Sequence, residues 1–281
     1  WVLIALWGIE TDYGADRDHW DVFRSLATLG FIRYRHPYFR NELLVAMRIM
    51  QDGRFGRDKM VSSWAGAMGQ TQFMPSNVVD YATDFSGDGK ADLWSNVPDV
   101  LASTANYLAR EHWQRGLPWG FEVTVPKRFD YMKSRGTFAE WTKFGVRRAD
   151  GKPFPASGSG ILFFPSGAKG PTFLTTANYP VLKEYNNSDA YVIAVGHLAD
   201  RMNGGAPIKA AWPADDHPIS RDARIALQKK LSTLGYKVLD FEGHIDFDLR
   251  DNIRAEQRKF GLVPDGNPTA AFLERLGVKG P

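Results

Sequence analysis

The chain opens with WVLIALWGIETDYG, residues 1–14, in which nine apolar or glycine residues precede a single glutamate, Glu10. A helix built from those nine residues would carry no polar side chain on any face, so we expect it to be buried on most of its surface. Glu10 would then lie in the last turn of a buried helix. Desolvation disfavours the charged carboxylate and raises its pKa, which suits a general acid. The alternative is a glutamate at a frayed helix end whose carboxylate reaches water.

Composition limits the class of protein. The chain has 281 residues, 43% of them hydrophobic and 24% charged, which is typical of a globular protein with two domains. No window reaches the roughly 18 consecutive apolar residues that a membrane-spanning helix requires. The net charge is +3, but acidic and basic residues are interspersed, so nucleic acid is not an expected partner. The absence of cysteine excludes disulfides, thiol catalysis and cysteine-ligated metals.

The hydrophobic pattern predicts a mainly α chain of the α+β class. Helical periodicity dominates up to about residue 112, whereas residues 118–180 contain short apolar runs such as FEVTV and ILFF between Gly- and Pro-rich stretches. Those runs indicate a small β or irregular subdomain, and helix returns after YNNSD. We therefore expect a first domain over residues 1–205, a linker over residues 206–218 that is rich in Gly, Pro and Ala, and a separate module over residues 219–281.

The C-terminal module shows three short amphipathic patterns, the last of which begins with Asn267 as N-cap and Pro268 as the first helical residue. Its sequences IALQKKLSTLGY and IRAEQRKFGLVPDGNPTAAFLERL resemble the peptidoglycan-binding domain attached to many bacterial wall hydrolases. EGHIDFDLRDN departs from that family's pattern, in which a glycine usually follows the aspartate and a threonine opens the next helix. The alternative is a generic three-helix appendage that mediates protein contacts.

A second informative stretch is SSWAGAMGQTQFMPS, residues 62–76, which neither helix nor strand propensity explains. Its glycines would let the backbone approach a ligand closely. Gln70 and Gln72 offer the donors and acceptors that read sugar hydroxyls and N-acetyl groups. The alternative is a glycine-rich packing joint with solvent-exposed glutamines.

The order of five motifs along the chain is typical of one protein family. ETDYG, SSWAGAMGQTQFMPS, DFSGDGKADLW, STANYL and EYNNS follow one another as in the B family of lytic murein transglycosylases, which the chain resembles over residues 1 to about 205. The resemblance implies a lysozyme-like helical domain with Glu10 as the single catalytic residue. It also implies substrate-binding positions at Ser63, Met68, Gln72, Tyr107, Tyr185 and Asn186. Gln70 occupies a position that the family varies, so only Gln72 is carried over.

The chemistry of the residues agrees with one catalytic carboxylate. Hydrolytic glycosidases usually place two carboxylates on opposite sides of the bond. Asp12 is two residues from Glu10 and points to another helix face, while Asp16, Asp18 and Asp21 suit turn and cap positions. Glu10 alone could protonate the glycosidic oxygen and then deprotonate the C6 hydroxyl of the muramic acid, assisted by the substrate's N-acetyl group. The product would be a 1,6-anhydromuramoyl end.

DFSGDGKADLW indicates a calcium-type loop. The spacing of its oxygen ligands follows that of an EF-hand, and the predicted ligands are Asp84, Ser86, Asp88, the Lys90 carbonyl and Asp99, with Asp92 as a weaker candidate. The twelfth position is Ser95 and lacks the usual glutamate, so an Asp/Gly turn is the alternative. The chemistry requires no cofactor, and calcium would have a structural role.

Two other kinds of protein could use the same substrate-binding residues. One is a non-catalytic wall-binding protein, and the other is a hydrolytic muramidase with an unrecognised second carboxylate. In each case peptidoglycan glycan strands are the expected partner, and we expect a monomer in the periplasm. The chain begins within a helical pattern that has no N-cap, so we also expect a missing upstream segment that could attach the protein to the outer membrane.

Overall fold

The computed structural model describes residues 1–16 and 19–278, and the chain divides into two compact units. The first unit comprises residues 1–113 and 194–205, and the second comprises residues 114–193 and 206–281. Asp18 and the last three residues of the C-terminal module lie outside the described residues. The division differs from the boundary at residue 205, because the β subdomain and the three-helix module belong to one unit.

The elements of the N-terminal part are α1 (Val2–Thr11), β1 (Trp20–Asp21), α2 (Val22–Phe31), α3 (Tyr38–Gln51), a 3₁₀ turn (Arg57–Lys59), β2 (Val61–Ser62), α4 (Pro75–Tyr81) and α5 (Val97–Arg110). Those that follow are β3 (Gly120–Thr124), β4 (Arg135–Thr137), α6 (Phe138–Lys143), β5 (Arg147–Arg148), β6 (Ser159–Phe163), β7 (Thr172–Thr175), α7 (Asn178–Tyr185), α8 (Asp189–Met202), α9 (Arg221–Thr233), α10 (Phe247–Lys259) and α11 (Ala270–Arg275).

The first unit is a helical bundle in which α2 packs against α3, α3 against α4, and α1 and α4 against α5. The cap residues explain where two of these helices begin. The Asp21 carboxylate accepts a hydrogen bond from the Arg24 amide at 2.9 Å and caps α2, as predicted from the sequence. Asn96 caps α5, and Pro98 lies in its first turn, where a missing N–H costs nothing.

The second unit contains an antiparallel five-stranded sheet in the order β4-β6-β7-β3-β5, which confirms the predicted β subdomain. Leu174 of β7 lies opposite Phe121 of β3 on one side and Leu162 of β6 on the other. These three side chains belong to one apolar core with Phe138 and Trp141 of α6. The sheet is therefore covered on that face by a helix from its own subdomain.

The module at the C-terminus has the three predicted helices around its own apolar core. The predicted start of its last helix is wrong: α11 begins at Ala270, and the Thr269 hydroxyl caps it by accepting from the Phe272 amide at 3.2 Å. Asn267 instead belongs to a turn held by the buried Gln257 side chain. Gln257 donates to the Asn267 carbonyl at 3.0 Å and accepts from the Gly266 amide at 2.8 Å. That turn postpones the start of the helix by two residues.

Helix α10 of the module packs against the β subdomain. The Arg254 side chain is 1% exposed and donates to the Leu162 carbonyl of β6 at 3.2 Å. The Arg250 guanidinium lies 2.8 Å from the Asp189 carboxylate and 4.7 Å from the centre of the Phe163 ring. A cation buried in this way needs its partners in place, so the module is fixed to the rest of its unit.

The segment predicted to be a linker is also held against the sheet. The backbone amides of Lys209 and Ala210 donate to the Glu122 carboxylate of β3 at 2.9 and 2.8 Å, and the Lys209 ammonium donates to the Ala149 carbonyl at 2.7 Å. The composition of residues 206–218 predicts a linker, and these contacts give the segment a defined course on the surface of the second unit.

Candidate active site

Glu10 is the penultimate residue of α1, as the sequence predicts, but the helix is less buried than expected. Only Ala5, Leu6 and Thr11 are fully buried, and Glu10 is partly exposed. The helix then ends abruptly, because Asp12 and the two residues after it all have positive φ angles between 47° and 80°. Glu10 is therefore placed where a carboxyl group can be both partly desolvated and reached from outside.

The abrupt end of α1 explains the residues around Glu10. The Tyr13 ring folds back over the helix and meets the Trp7 ring edge-on, with centroids 5.5 Å apart. A Cβ atom at Gly8 would lie 2.8 Å from that tyrosine ring, so only glycine allows the fold-back. Gly14 continues the left-handed turn with φ of 80°.

Most of the motif at residues 62–76 forms a compact irregular loop, in agreement with its lack of a helix or strand pattern. Met68 makes isolated β-bridges with both Ser62 and Phe73, so the loop folds back on itself. Gly69 has φ of 67°, and a Cβ there would lie 2.7 Å from the Leu93 carbonyl oxygen. A glycine is therefore needed because the loop packs directly against the segment that precedes α5.

Three predicted substrate residues lie in this loop. Ser63 is partly exposed, and its hydroxyl accepts from the Ala67 amide at 3.2 Å. Gln72 adopts φ of 53°, a conformation that is uncommon outside glycine and clusters at functional sites. Its side-chain amide donates to the Gly69 carbonyl at 3.1 Å. Met68 is 0% exposed, so it packs beneath the loop and does not offer a surface to a ligand.

Tyr107 reaches the same loop from α5. It is 5% exposed, and its ring lies 5.7 Å from that of Phe73 and 4.7 Å from that of Tyr81. The structure thus brings Tyr107 together with the loop that carries Ser63 and Gln72.

Gln70 was not among the predicted substrate-binding residues, but it joins this loop to α1. Its side-chain oxygen accepts from the Trp7 indole at 2.7 Å, and its backbone carbonyl accepts from the Thr11 hydroxyl at 3.1 Å. Its side-chain amide donates to the Trp94 carbonyl at 2.7 Å. Spacing alone could not reveal this role, because the partners are 24 to 63 residues away along the chain.

The other two predicted residues lie in the second unit. Tyr185 is the last residue of α7, and Asn186 is its C-cap and is exposed. Asp189, which follows them, accepts from the Tyr179 hydroxyl at 2.7 Å and lies 2.9 Å from the Lys183 ammonium. Together with Arg250 these contacts fix both ends of the EYNNS segment. No pattern in the sequence predicted these contacts.

The predicted calcium loop closes on its own backbone. The Asp84 carboxylate accepts from the amides of Gly87 at 2.6 Å and Gly89 at 2.8 Å, and Asp88 accepts from the Lys90 amide at 2.9 Å. Within residues 1–16 and 19–278, no three acidic or histidine side chains are grouped as metal ligands.

Asp99 has a different role from the predicted one. It is 0% exposed, and its two oxygens accept from the amides of Phe85, Ser86 and Asp92, each at 3.0 Å. Three amides occupy three of the roughly four lone-pair sites of this carboxylate, so Asp99 holds the loop together from below. The remaining predicted oxygen donors, on Asp84, Ser86, Asp88 and Lys90, still suit calcium in their chemistry.

Comparison with known proteins decides the family. Residues 1–200 match the family model described as the transglycosylase SLT domain. The chain belongs to the transglycosylase SLT family. Its residues 220–276 also match a family of peptidoglycan-binding domains. Both resemblances drawn from the motifs, and the mainly α fold class with its small sheet, are thereby confirmed.

Named relatives of this SLT chain include membrane-bound lytic murein transglycosylase B of Escherichia coli, which is 38% identical over 209 residues, or 72% of the chain. That match spans only 56% of the E. coli protein. SltB3 from Pseudomonas aeruginosa, solved in complex with NAG-anhNAM-pentapeptide, is 44% identical with a TM-score of 0.86 and covers 98% of this chain and 76% of its own.

A third SLT relative is the E. coli lytic transglycosylase Slt35, solved in complex with calcium. It is 28% identical with a TM-score of 0.61, and the match covers 72% of this chain and 65% of that one. In the part of the chain that the structure describes, none of the helices has the length and apolar character needed to cross a bilayer.

Proposed function

We propose that this SLT-family chain is a lytic transglycosylase that cleaves the β-1,4 bond between N-acetylmuramic acid and N-acetylglucosamine in peptidoglycan. The observation that carries the proposal is the family match over residues 1–200, which aligns the chain with a relative solved with an anhydromuramoyl ligand. The position of Glu10 at the partly exposed end of α1, beside the glutamine-rich loop, supplies the chemistry.

Glu10 first acts as general acid and protonates the leaving glycosidic oxygen. The substrate's own N-acetyl group stabilises the anomeric carbon, so no protein nucleophile is required. Glu10, now a carboxylate, takes the proton of the C6 hydroxyl as that oxygen attacks the anomeric carbon. Asp12 is exposed on the left-handed turn after the helix, which favours its predicted role in the turn over one as a second catalytic carboxylate.

The loop at residues 62–76 supplies binding groups in the first unit. Ser63 and Gln72 are partly exposed polar side chains in the same loop and would hydrogen-bond the sugars. Tyr107, Tyr185 and Asn186 keep the substrate-binding roles implied by the family. Met68 would act by supporting the loop, because its side chain is fully buried.

Calcium would act as structural support for the loop that begins at Asp84. With Asp99 committed to backbone amides, the ligands would be Asp84, Ser86, Asp88 and the Lys90 carbonyl, completed by water. A ligand bound only by the native state stabilises it, so calcium should raise the melting temperature relative to chelator. Identical thermal scans with and without calcium would reject the site.

The C-terminal module would raise affinity for insoluble wall, and the protein would work as a monomer in the periplasm. This location is inferred from the substrate and from the name of the E. coli relative, which describes a membrane-bound enzyme. Outer-membrane attachment through an upstream segment is part of the same proposal.

The test is mass analysis of muropeptides released from purified sacculi. A lytic transglycosylase releases products one water lighter than those of a hydrolase and without a reducing end. The matched variant is Glu10→Gln, which keeps the shape of the side chain but cannot donate the proton, and it should lose at least about 10² to 10⁴-fold in rate. It should still co-sediment with sacculi, because the binding groups remain.

The alternatives predict different outcomes. Reducing-end products from the wild type would assign the chain to the muramidases. Unshortened glycan strands, together with binding to sacculi, would indicate a non-catalytic wall-binding protein. Turnover retained in Glu10→Gln would remove the role assigned to Glu10.

A further inference from the structure

Two residues of the last turn of α1, on either side of Glu10, are hydrogen-bonded to one residue of the loop at residues 62–76. Trp7 lies three residues before Glu10 and Thr11 one residue after it, and both donate hydrogen bonds to Gln70, at 2.7 Å to its side chain and 3.1 Å to its carbonyl. The helix has no basic residue in its last turn to stabilise that end electrostatically.

Gln70 is itself fixed from the opposite side. Its backbone amide donates to the Leu93 carbonyl at 2.8 Å, and its side-chain amide donates to the Trp94 carbonyl at 2.7 Å. Gly14 leaves the space that the side chain occupies, since a Cβ there would collide with the Gln70 amide group. The side chain therefore has one orientation, with its acceptor toward α1 and its donor toward the segment before α5.

We propose that Gln70 is a positioning residue for Glu10, which sets the height and rotation of the last turn of α1 relative to the substrate-binding loop. This rests on the acid-base role given to Glu10 under the proposed function. A displacement of about 1 Å at a reacting group can cost about 10²-fold in rate even when the change lies outside the site. Loss of Gln70 should therefore act on turnover, with little effect on ground-state binding.

The test variant is Gln70→Met, which keeps a similar length but has no hydrogen-bonding amide. We expect kcat on short soluble GlcNAc-MurNAc oligomers to fall about 10- to 100-fold while KM stays within about twofold. Trp7→Phe removes the indole N–H donor and keeps a smaller aromatic ring against Tyr13, so it should give a smaller loss of the same kind. The double variant should lose less than the product of the two single losses, because both changes remove the same bond.

The matched control is Gln257→Met. Gln257 is also a buried glutamine, 3% exposed, that joins a helix to a turn through its amide, but it lies in the C-terminal module. It should lower the melting temperature and leave kcat on the soluble oligomers unchanged. All rates are measured well below each melting temperature, with the folded fraction checked by circular dichroism.

The outcomes distinguish the positioning role of Gln70 from the acid-base role of Glu10 on which it rests. If Glu10→Gln is inactive but Gln70→Met and Trp7→Phe both keep wild-type kcat, positioning by Gln70 is wrong and the role of Glu10 stands. If Gln70→Met loses activity only in proportion to its unfolded fraction, its role is structural and the proposal is also wrong. If Glu10→Gln keeps its turnover, the assignment of Glu10 itself fails. Should Gln70→Met not fold, Trp7→Phe alone decides through its kcat.

Discussion

Replacing Arg250 by methionine should release the C-terminal module from the β subdomain. The guanidinium is 8% exposed and makes three kinds of contact: an ion pair with Asp189 at 2.8 Å, a hydrogen bond to the Gly266 carbonyl at 3.1 Å, and a cation–π contact with Phe163 at 4.7 Å. Methionine fills a similar volume with none of these interactions. It leaves Asp189 with Lys183 and Tyr179 as partners.

The cost can be bounded from that geometry. Removing one partner of a fully buried ion pair costs about 3–5 kcal/mol. The Asp189 side chain is 22% exposed and keeps the Lys183 ammonium at 2.9 Å, so we expect a smaller loss, about 2–3 kcal/mol in the free energy of unfolding. For a cooperative unit of about 150–250 residues this lowers the melting temperature by about 4–12 °C.

Calorimetry of the whole chain measures the effect, with Arg258→Met as control. Arg258 lies on the same helix but is exposed, so its replacement should change stability by less than about 0.5 kcal/mol. A double-mutant cycle with Asp189→Asn should show a coupling of at least about 1 kcal/mol. If Arg250→Met melts at the same temperature as Arg258→Met, the packing of the module contributes no stability and the argument is refuted.

The same ion pair predicts a pH dependence. Burial alone would raise the pKa of Asp189, but the charges of Arg250 and Lys183 outweigh it and hold the pKa below its ordinary value. The folded state therefore binds this proton less tightly than the unfolded chain does. Its stabilisation is present above about pH 4 and is lost as the pH falls through the lowered pKa. Asp189→Asn should flatten this acid limb, which denaturation at a series of pH values would show.

Two further predictions concern the first unit. Gly66→Ala should fold poorly, since φ at Gly66 is 89° and a Cβ there would collide with the Leu26 side chain. Gly53 has φ of 66° but no atom within 4 Å of a Cβ, so Gly53→Ala should lower the free energy of unfolding by only about 1 kcal/mol in a urea titration. The hydrogen bond that Tyr81 donates to Glu111, together with burial, raises the pKa of Tyr81 to about 12. A difference titration against Tyr81→Phe should therefore show one phenol that ionises late. The folded state holds this proton more tightly than the unfolded chain does, so stability should decline as the pH rises above about 10.

Much of the fold could be predicted because its signals are local. The helical periodicity up to about residue 112, the short runs of the β subdomain and the cap at Asp21 each depend on neighbours within one or two turns. The course of the linker segment could not be predicted, for the opposite reason. Its composition is that of a tether, and only the Glu122 carboxylate, about 90 residues earlier, gives its amides a partner.

The same difference between local signals and distant partners applies to the residues of the candidate site. The positions of Glu10 in the last turn of α1 and of Gln72 in the irregular loop could be predicted, because helical periodicity and the glycine-rich motif are local signals. The roles of Gln70 and Asp99 could not, since each is defined by backbone groups elsewhere in the chain that it contacts. Asp99 lies in the sequence where the last ligand of a calcium loop could lie. Its complete burial and its hydrogen bonds from three backbone amides become visible only in the structure.

The contacts of Asp99 and Gln70 meet in one short segment, which links the calcium-type loop to the helix of Glu10. Asp99 accepts from the Asp92 amide, and the Asp92 carboxylate accepts from the Trp94 amide at 2.8 Å. The carbonyl of Trp94 in turn holds the side chain of Gln70. Each bond fixes the backbone that the next one uses, so order in the loop is transmitted to the last turn of α1. The hydrogen bonds of the calcium-type loop are therefore connected to the last turn of α1 through Asp92, Trp94 and Gln70.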